Sequence, residues 1–268
     1  MQVSGEPSYL SRPVPPHLRP YVGWLVAYDL DLGAPGVHRG LPSTALTLVI
    51  PIGHEIEVGW SGQPATRRRW SALASGLHAT PAEIHHDGWQ SGVQLSLTLA
   101  GASALLGESA SDLAHELVDL ADVRGAARVP ALRHLPERLH GAASWADRLL
   151  ILESTLTEAL VRNDPVDRRP EVGRALAVLT RGVAVGATAD EVGWSRRHLG
   201  TQVRAASGLA PKEFQRVARF ERSHRLLLRG ARAGSVSRSE FPFLQDQPVP
   251  VRDHGGDGTR AAVRTGRP

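Results

Sequence analysis

The chain has 268 residues, 41% of them apolar and none of them cysteine. That is enough apolar matter for one large domain or two ordinary ones, and it excludes wholesale disorder, disulfides, thiol catalysis and cysteine-based zinc sites. The net charge of +4 is unevenly spread: residues 1–170 carry 14 arginines against 18 acids and residues 171–268 carry 17 basic residues against 9 acids, which points to a polyanion as partner of the second part.

The start, MQVSGEPSYL, lacks a basic segment followed by an apolar stretch, so no secretory leader is expected. The longest apolar run, ALTLVIPI from Ala45, is far short of a membrane span. A soluble, cytoplasmic protein without membrane partners is the expectation.

Residues 7–20, PSYLSRPVPPHLRP, read as an extended arm. From Tyr21 to Leu99 the pattern is strand. YVGWLVAYDL, LTLVI, HEIEVGW and VQLSLTL are short or alternating apolar runs parted by Gly, Pro and Asp turns. Val93, Leu95, Leu97 and Leu99 alternate as in a strand with one buried face. Many short strands at this spacing predict a barrel or jelly roll.

After Gly101 the pattern turns helical. GASALLG is short, SASDLAHELVDL is expected to be a helix capped by Ser111, and SWADRLLILESTLTEALVRN a longer one capped by Ser144. In the longer one Leu149, Leu152, Leu156 and Leu160 recur at helical spacing. NDPVDRRP reads as a linker, and residues 171–229 as helices throughout. Residues 230–268, with frequent Gly and Pro and little apolar periodicity, read as loop or disorder.

The chemistry is concentrated in EVGWSRRHLGTQVRAASGLAPKEF, Glu191–Phe214. Val185, Ala189 and Val192 share one face of a short helix, and Gly193 suits a left-handed turn after it. Ser195 is placed to cap a second helix, and Gly208 to end it. Leu199, Val203 and Ala206 form the inner face of that helix, while Arg197, Thr201 and Arg204 form the outer one. A helix, a glycine turn and a second helix with a basic outer face make a helix-turn-helix, whose second helix fits the major groove of DNA. The plainer alternative is a three-helix core with a solvated basic surface.

DEVGWSRRHLGTQVRAASGLAPKEFQRVARFERSHRLL resembles the first helix-turn-helix of the AraC/XylS family of bacterial transcription regulators. Gly193, Ser195, Arg197-His198-Leu199, Gly208, Pro211, Arg219 and Leu226-Leu227 carry the resemblance. The upstream layout is similar to the β-rich amino-terminal domain of some members. The resemblance implies an α+β protein of two domains, a barrel or jelly-roll-like first domain and an all-α second one. Its boundaries are 1–110 for a sensing or dimerisation domain, 111–170 for a helical connector and linker, 171–229 for the DNA-binding unit and 230–268 for the tail. It implies double-stranded DNA, a small-molecule effector and a second copy of the chain as partners, no cofactor and no catalytic activity. Arg197 and Thr201 would approach base edges, and Ser195, Arg196 and Arg204 phosphate or the groove edge. Arg219 and Arg222 would meet phosphate from a joining helix over 211–229, with Phe214, Val217 and Phe220 on its core side.

The chain departs from the family pattern. Gly200 and Thr201 stand where long polar or basic side chains are usual, Val203 replaces a large aromatic, Thr188 replaces Leu, and Ala210 replaces a capping Ser or Thr. The family also carries a second helix-turn-helix, which the tail does not spell out. LQDQPVPVRD, Leu244 to Asp253, echoes its recognition region, so the tail reads either as a frameshifted second unit or as a divergent one. The other reading frames of the coding DNA decide between them.

Two rival readings stand beside this one. His38, His54, His78, Glu83, His85 and His86 supply ligand types for a metal-dependent barrel enzyme of the cupin kind, although adjacent His85 and His86 face opposite sides of a strand. The other rival is a degenerate regulator that acts only by pairing with intact paralogues. Trp24, Trp60, Trp70 and Trp89 fit either a ligand pocket or plain core packing.

Overall fold

The computed structural model describes residues 8–163 and 170–232. The expected linker, and the tail from 233 on with its echo of a second unit, lie outside the described residues. The chain is an α+β protein with a β-rich first part and an all-α last part.

Among the described residues ten strands build two antiparallel sheets. The larger contains β1 (Ser8–Ser11), β2 (Val22–Asp31), β4 (Leu46–Pro51), β7 (Leu73–Ser75), β9 (Trp89–Leu97) and β10 (Leu117–Asp119), in the order β1-β2-β9-β4-β7-β10. The smaller contains β3 (Gly36–Gly40), β5 (Ile56–Trp60), β6 (Arg68–Trp70) and β8 (Ala82–His86), in the order β3-β8-β5-β6. Leu25 pairs with Leu95 and Leu48 with Leu95, so β9 is the central strand of the larger sheet.

The alternation in β9 decides where the core lies. Val93, Leu95 and Leu97 are fully buried and point away from the smaller sheet, onto a layer of helices. That layer is α1 (Leu99–Leu106), α2 (Arg124–Arg128), α3 (Pro130–Arg133), α4 (Leu135–His140) and α5 (Trp145–Arg162). Leu105, Leu132, Leu139, Leu149, Leu152 and Leu156 of that layer share one core with the sheet residues. The alternate residues of β9, Gln90, Gln94 and Ser96, point into a cavity between the two sheets. Both faces of the central strand are therefore covered, one by helices and one by the smaller sheet.

Local signals set the helix ends. Thr98 caps α1 by accepting from the Gly101 N–H at 3.0 Å, and Ser144 caps α5 by accepting from the Asp147 N–H at 3.1 Å. The expected helix after Ser111 does not form. That segment turns at Ser109–Glu116, with His115 at φ 65°, and then runs as β10. The His115 N–H donates to the Leu77 carbonyl at 2.8 Å, and Leu117 and Asp119 pair with Ser75 and Leu73 of β7. A sheet edge that needs a partner overrides the local helical pattern.

The last part packs α6 (Pro170–Thr180), α7 (Val185–Glu191), α8 (Arg196–Ser207) and α9 (Pro211–Arg232) into a small bundle. Ala175, Leu179, Ala189, Leu199, Val203 and Phe214 form its centre, which is continuous with the core beneath the larger sheet. Among the described residues no helix is long and apolar enough to cross a membrane.

Candidate nucleic-acid interface and interior cavity

The turn between α7 and α8 is built as the residue types require. Gly193 sits at φ 70°, where a side chain is strained, and the Trp194 N–H returns to the Ala189 carbonyl at 2.8 Å. Ser195 caps α8, its hydroxyl accepting from the His198 N–H at 3.1 Å. The Trp194 ring meets the His198 ring edge-on at 4.9 Å and braces this turn. Gly208, at φ 75°, closes α8, donating its N–H to the Arg204 carbonyl at 2.8 Å.

Leu199 and Val203 of α8 are fully buried, and Arg197, Thr201 and Arg204 on the opposite face are exposed. At about 100° per residue these three fall within one narrow stripe. The Thr201 hydroxyl donates to the Arg197 carbonyl at 3.2 Å, and no described carboxylate pairs with Arg197 or Arg204. Both side chains are open to solvent.

Ser195 and Arg196 are exposed at the start of α8, and the Arg196 guanidinium lies over Gly186 of α7. Arg219 is exposed on α9. Arg222 is engaged inside the bundle: its guanidinium donates to the Thr180 carbonyl at the end of α6 and covers Gly182. There it satisfies a carbonyl that the helix end leaves open. Phe214 and Val217 are buried as expected, whereas Phe220 is 38% exposed and turned toward the β-rich part.

The departures from the expected pattern are accommodated locally. The Thr188 hydroxyl is fully buried but donates to the Ala184 carbonyl at 3.1 Å. Ser207, at the end of α8, bonds within the turn that leads into α9. Its hydroxyl accepts from the Leu209 N–H at 3.2 Å and donates to the Val203 carbonyl at 2.8 Å.

The second feature is the cavity between the sheets, about 350 Å³, closed at one end by α9. Phe220, Glu221, His224, Arg225 and Arg229 form that end. Glu221 fastens α9 to the β-rich part: its carboxylate accepts from the Thr44 N–H at 3.2 Å and the Thr44 hydroxyl at 2.8 Å. Sequence reasoning missed this contact because it joins residues 177 apart. No local pattern announces it.

The histidines and tryptophans divide between sites. His78 is 9% exposed in the cavity wall, and its Nδ1 is bonded to the Thr80 carbonyl. Burial, with a smaller effect from His115, pulls its pKa down to about 4 against the pull of that carbonyl. His38 is likewise pulled down to about 4 by burial and by the charge of His86, whose ring lies 5.5 Å away. His54 bonds through Nδ1 to the Ile52 carbonyl at 3.0 Å. Among the described residues no three His, Asp or Glu side chains come together as a metal-ligand set. Trp24 lines the cavity, Trp60 and Trp70 belong to a small core at its end, and Trp89 is exposed, donating to Asp29 at 2.8 Å.

No protein-family model matches the sequence, and no curated protein matches it. Several solved structures are similar in arrangement. ToxT from Vibrio cholerae strain SCE256, in a form with unsaturated fatty acid bound, is 11% identical over 84% of this chain and 91% of that one, with a TM-score of 0.42. The AraC-like transcriptional activator CuxR is 10% identical over 89% of this chain and 91% of that one, at 0.24. A cupin superfamily protein from Desulfitobacterium hafniense DCB-2 covers 37% of this chain and 83% of its own, at 11% identity and 0.27. These similarities are too distant to carry residue roles across.

Proposed function

We propose that the chain is a sequence-specific DNA-binding transcription regulator of the AraC/XylS type. It acts in the cytoplasm as a binding protein rather than an enzyme. The observation that carries this reading is the exposed stripe of Arg197, Thr201 and Arg204 on α8, bounded by two glycine turns and the Ser195 cap. An arginine on such a helix can bond guanine O6 and N7 together, worth roughly 1–3 kcal/mol of discrimination. Arg197 and Thr201 are the base readers in this proposal. Ser195, Arg196, Arg204 and Arg219 take phosphate or the groove edge, and Arg222 holds the bundle in shape.

One helix-turn-helix offers few phosphate contacts, so tight binding by this unit needs a second copy of the chain on an adjacent half-site. The interior cavity is the effector site, because α9 forms both its end and part of the bundle that presents α8. A ligand there touches both parts of the molecule.

The test is a salt titration of binding to the DNA upstream of the gene. The expected result is binding that weakens steeply with salt, with Arg197→Ala relaxing sequence preference and Arg204→Ala lowering the salt slope by about one unit. Absence of binding at low salt refutes the proposal.

A further inference from the structure

The walls of the interior cavity differ in chemistry. Thr47, Gln90, Gln94 and Ser96 form a polar strip on β4 and β9 of the larger sheet, beside apolar side chains of that sheet such as Val49, Leu73 and Leu117, and Ile56, Val58, Ala82 and Ile84 face it from β5 and β8 of the smaller one, beside His38 of β3. Gln90 is 6% exposed and Ser96 7%. The side chains of Gln90, Gln94 and Ser96 make no hydrogen bond to another described residue.

Buried amides and hydroxyls in folded proteins are almost always bonded. These therefore face a partner inside the cavity, water in the empty state and a ligand in the filled one. Each glutamine amide offers a donor edge and an acceptor edge, and each Ser or Thr hydroxyl both donates and accepts. Ligand hydroxyls match such a set because they too do both. An acyl chain does neither, and would strand every one of these groups in an apolar contact.

The opposite wall has no bonding group in Ile56, Val58, Ala82 or Ile84 and suits C–H surface. A ring with hydroxyls toward one side and C–H toward the other matches both walls at once. The volume, about 350 Å³, lies at the small end of ligand sites and favours one ring over an extended chain.

The α9 end adds a charge. Arg225 and Arg229 stand one helical turn apart there, and neither pairs with a described carboxylate. The nearest acid on the same face, Glu221, is engaged with Thr44. His38 and His78, deeper in the cavity, are neutral imidazoles at pH 7. Positive charge is thus confined to one end, and a guanidinium pair favours a carboxylate.

We infer that the cavity binds a compact ring polyol bearing one carboxylate, a sugar acid or a hydroxylated alicyclic acid. Its hydroxyls lie on Gln90, Gln94 and Ser96, and its carboxylate on Arg225 and Arg229. This rests on the reading of the cavity as the effector site.

The experiment is calorimetric titration of the full chain with galacturonate, quinate, neutral galactose and palmitoleate. Galacturonate or quinate is expected to bind, with galactose at least tenfold weaker than galacturonate. Gln94→Leu is expected to weaken the acid at least tenfold. Arg225→Gln with Arg229→Gln, at exposed positions that leave folding intact, is expected to bring galacturonate down to galactose. Palmitoleate binding that competes with the acids, or that improves in Gln94→Leu, overturns the inference, as does binding of neither acid. DNA binding by the ligand-free chain is measured separately and depends on α8, so failure of the regulator reading is distinguishable from failure here.

Discussion

Gly208 joins the recognition helix to the rest of the molecule. It ends α8 at φ 75°, and a Cβ built on it would lie 2.1 Å from the Ala114 Cβ and 3.3 Å from the Ser111 carbonyl oxygen. Gly193 has nearly the same backbone, at φ 70°, but no atom within 4 Å of its would-be Cβ. The two glycines therefore separate backbone strain from contact. Gly193→Ala incurs only the left-handed penalty, about 1–2 kcal/mol. Gly208→Ala incurs that and an overlap of two carbons far inside their contact distance of about 3.5–4.0 Å. Overpacking of this kind costs a further 1–3 kcal/mol or so, for a total of about 2–5 kcal/mol.

Ala114→Gly removes the opposing Cβ, so the double variant Gly208→Ala with Ala114→Gly should recover about 1–2 kcal/mol relative to additivity. The assay is urea unfolding of the wild type, the three single variants and the double variant, followed by hydrogen exchange of the α8 amides. Equal costs at Gly193 and Gly208, or a cycle additive within about 0.5 kcal/mol, would refute the docking of α8 against the Ser109–Glu116 turn. With it would fall the idea that the β-rich part sets the orientation of the DNA-binding stripe.

Two further outcomes follow from named contacts. His78 stays neutral in the fold down to about pH 4, while an unfolded histidine takes its proton near pH 6.5. The unfolded chain therefore binds more protons in that window. Stability conferred by neutral His78 is complete above about pH 6.5 and falls as pH drops toward 4, by roughly 2 kcal/mol between pH 7.5 and 5. Urea midpoints at the two pH values check this: His78→Asn, which keeps a donor for the Thr80 carbonyl, should remove the His78 share and leave that of His38, which burial pulls down in the same way. Thr44→Val removes one of the two hydrogen bonds to Glu221. A half-buried, charge-assisted bond of this kind is worth about 1–2 kcal/mol, so faster hydrogen exchange in residues 219–229, with little change in β9, is the expected readout.

What the sequence determined by itself is whatever is encoded within about ten neighbouring residues. The Ser144 and Ser195 caps, the turns at Gly193 and Gly208, the inner face of Leu199 and Val203 and the outer face of Arg197, Thr201 and Arg204 all follow from residue order. Capping, positive φ and helical periodicity depend on adjacent residues alone. The alternation of β9 was legible too, but its meaning was not. Val93, Leu95 and Leu97 announced a buried face, yet only the packing of α1 and α5 shows that this face lies outside the barrel, leaving Gln90, Gln94 and Ser96 to line its interior.

The tertiary structure alone decided three matters. The segment after Ser111 became a turn and an edge strand because β7 offered it a ladder. Arg222 turned into the bundle because the end of α6 exposed a carbonyl to it. The stretch of α9 from Phe220 on came to close the cavity because Thr44 offered Glu221 two hydrogen-bond donors. Each of these is a polar group finding its partner across a long stretch of chain. Sequence spacing holds no record of such pairings, since the partners become neighbours only when the sheets and helices have packed.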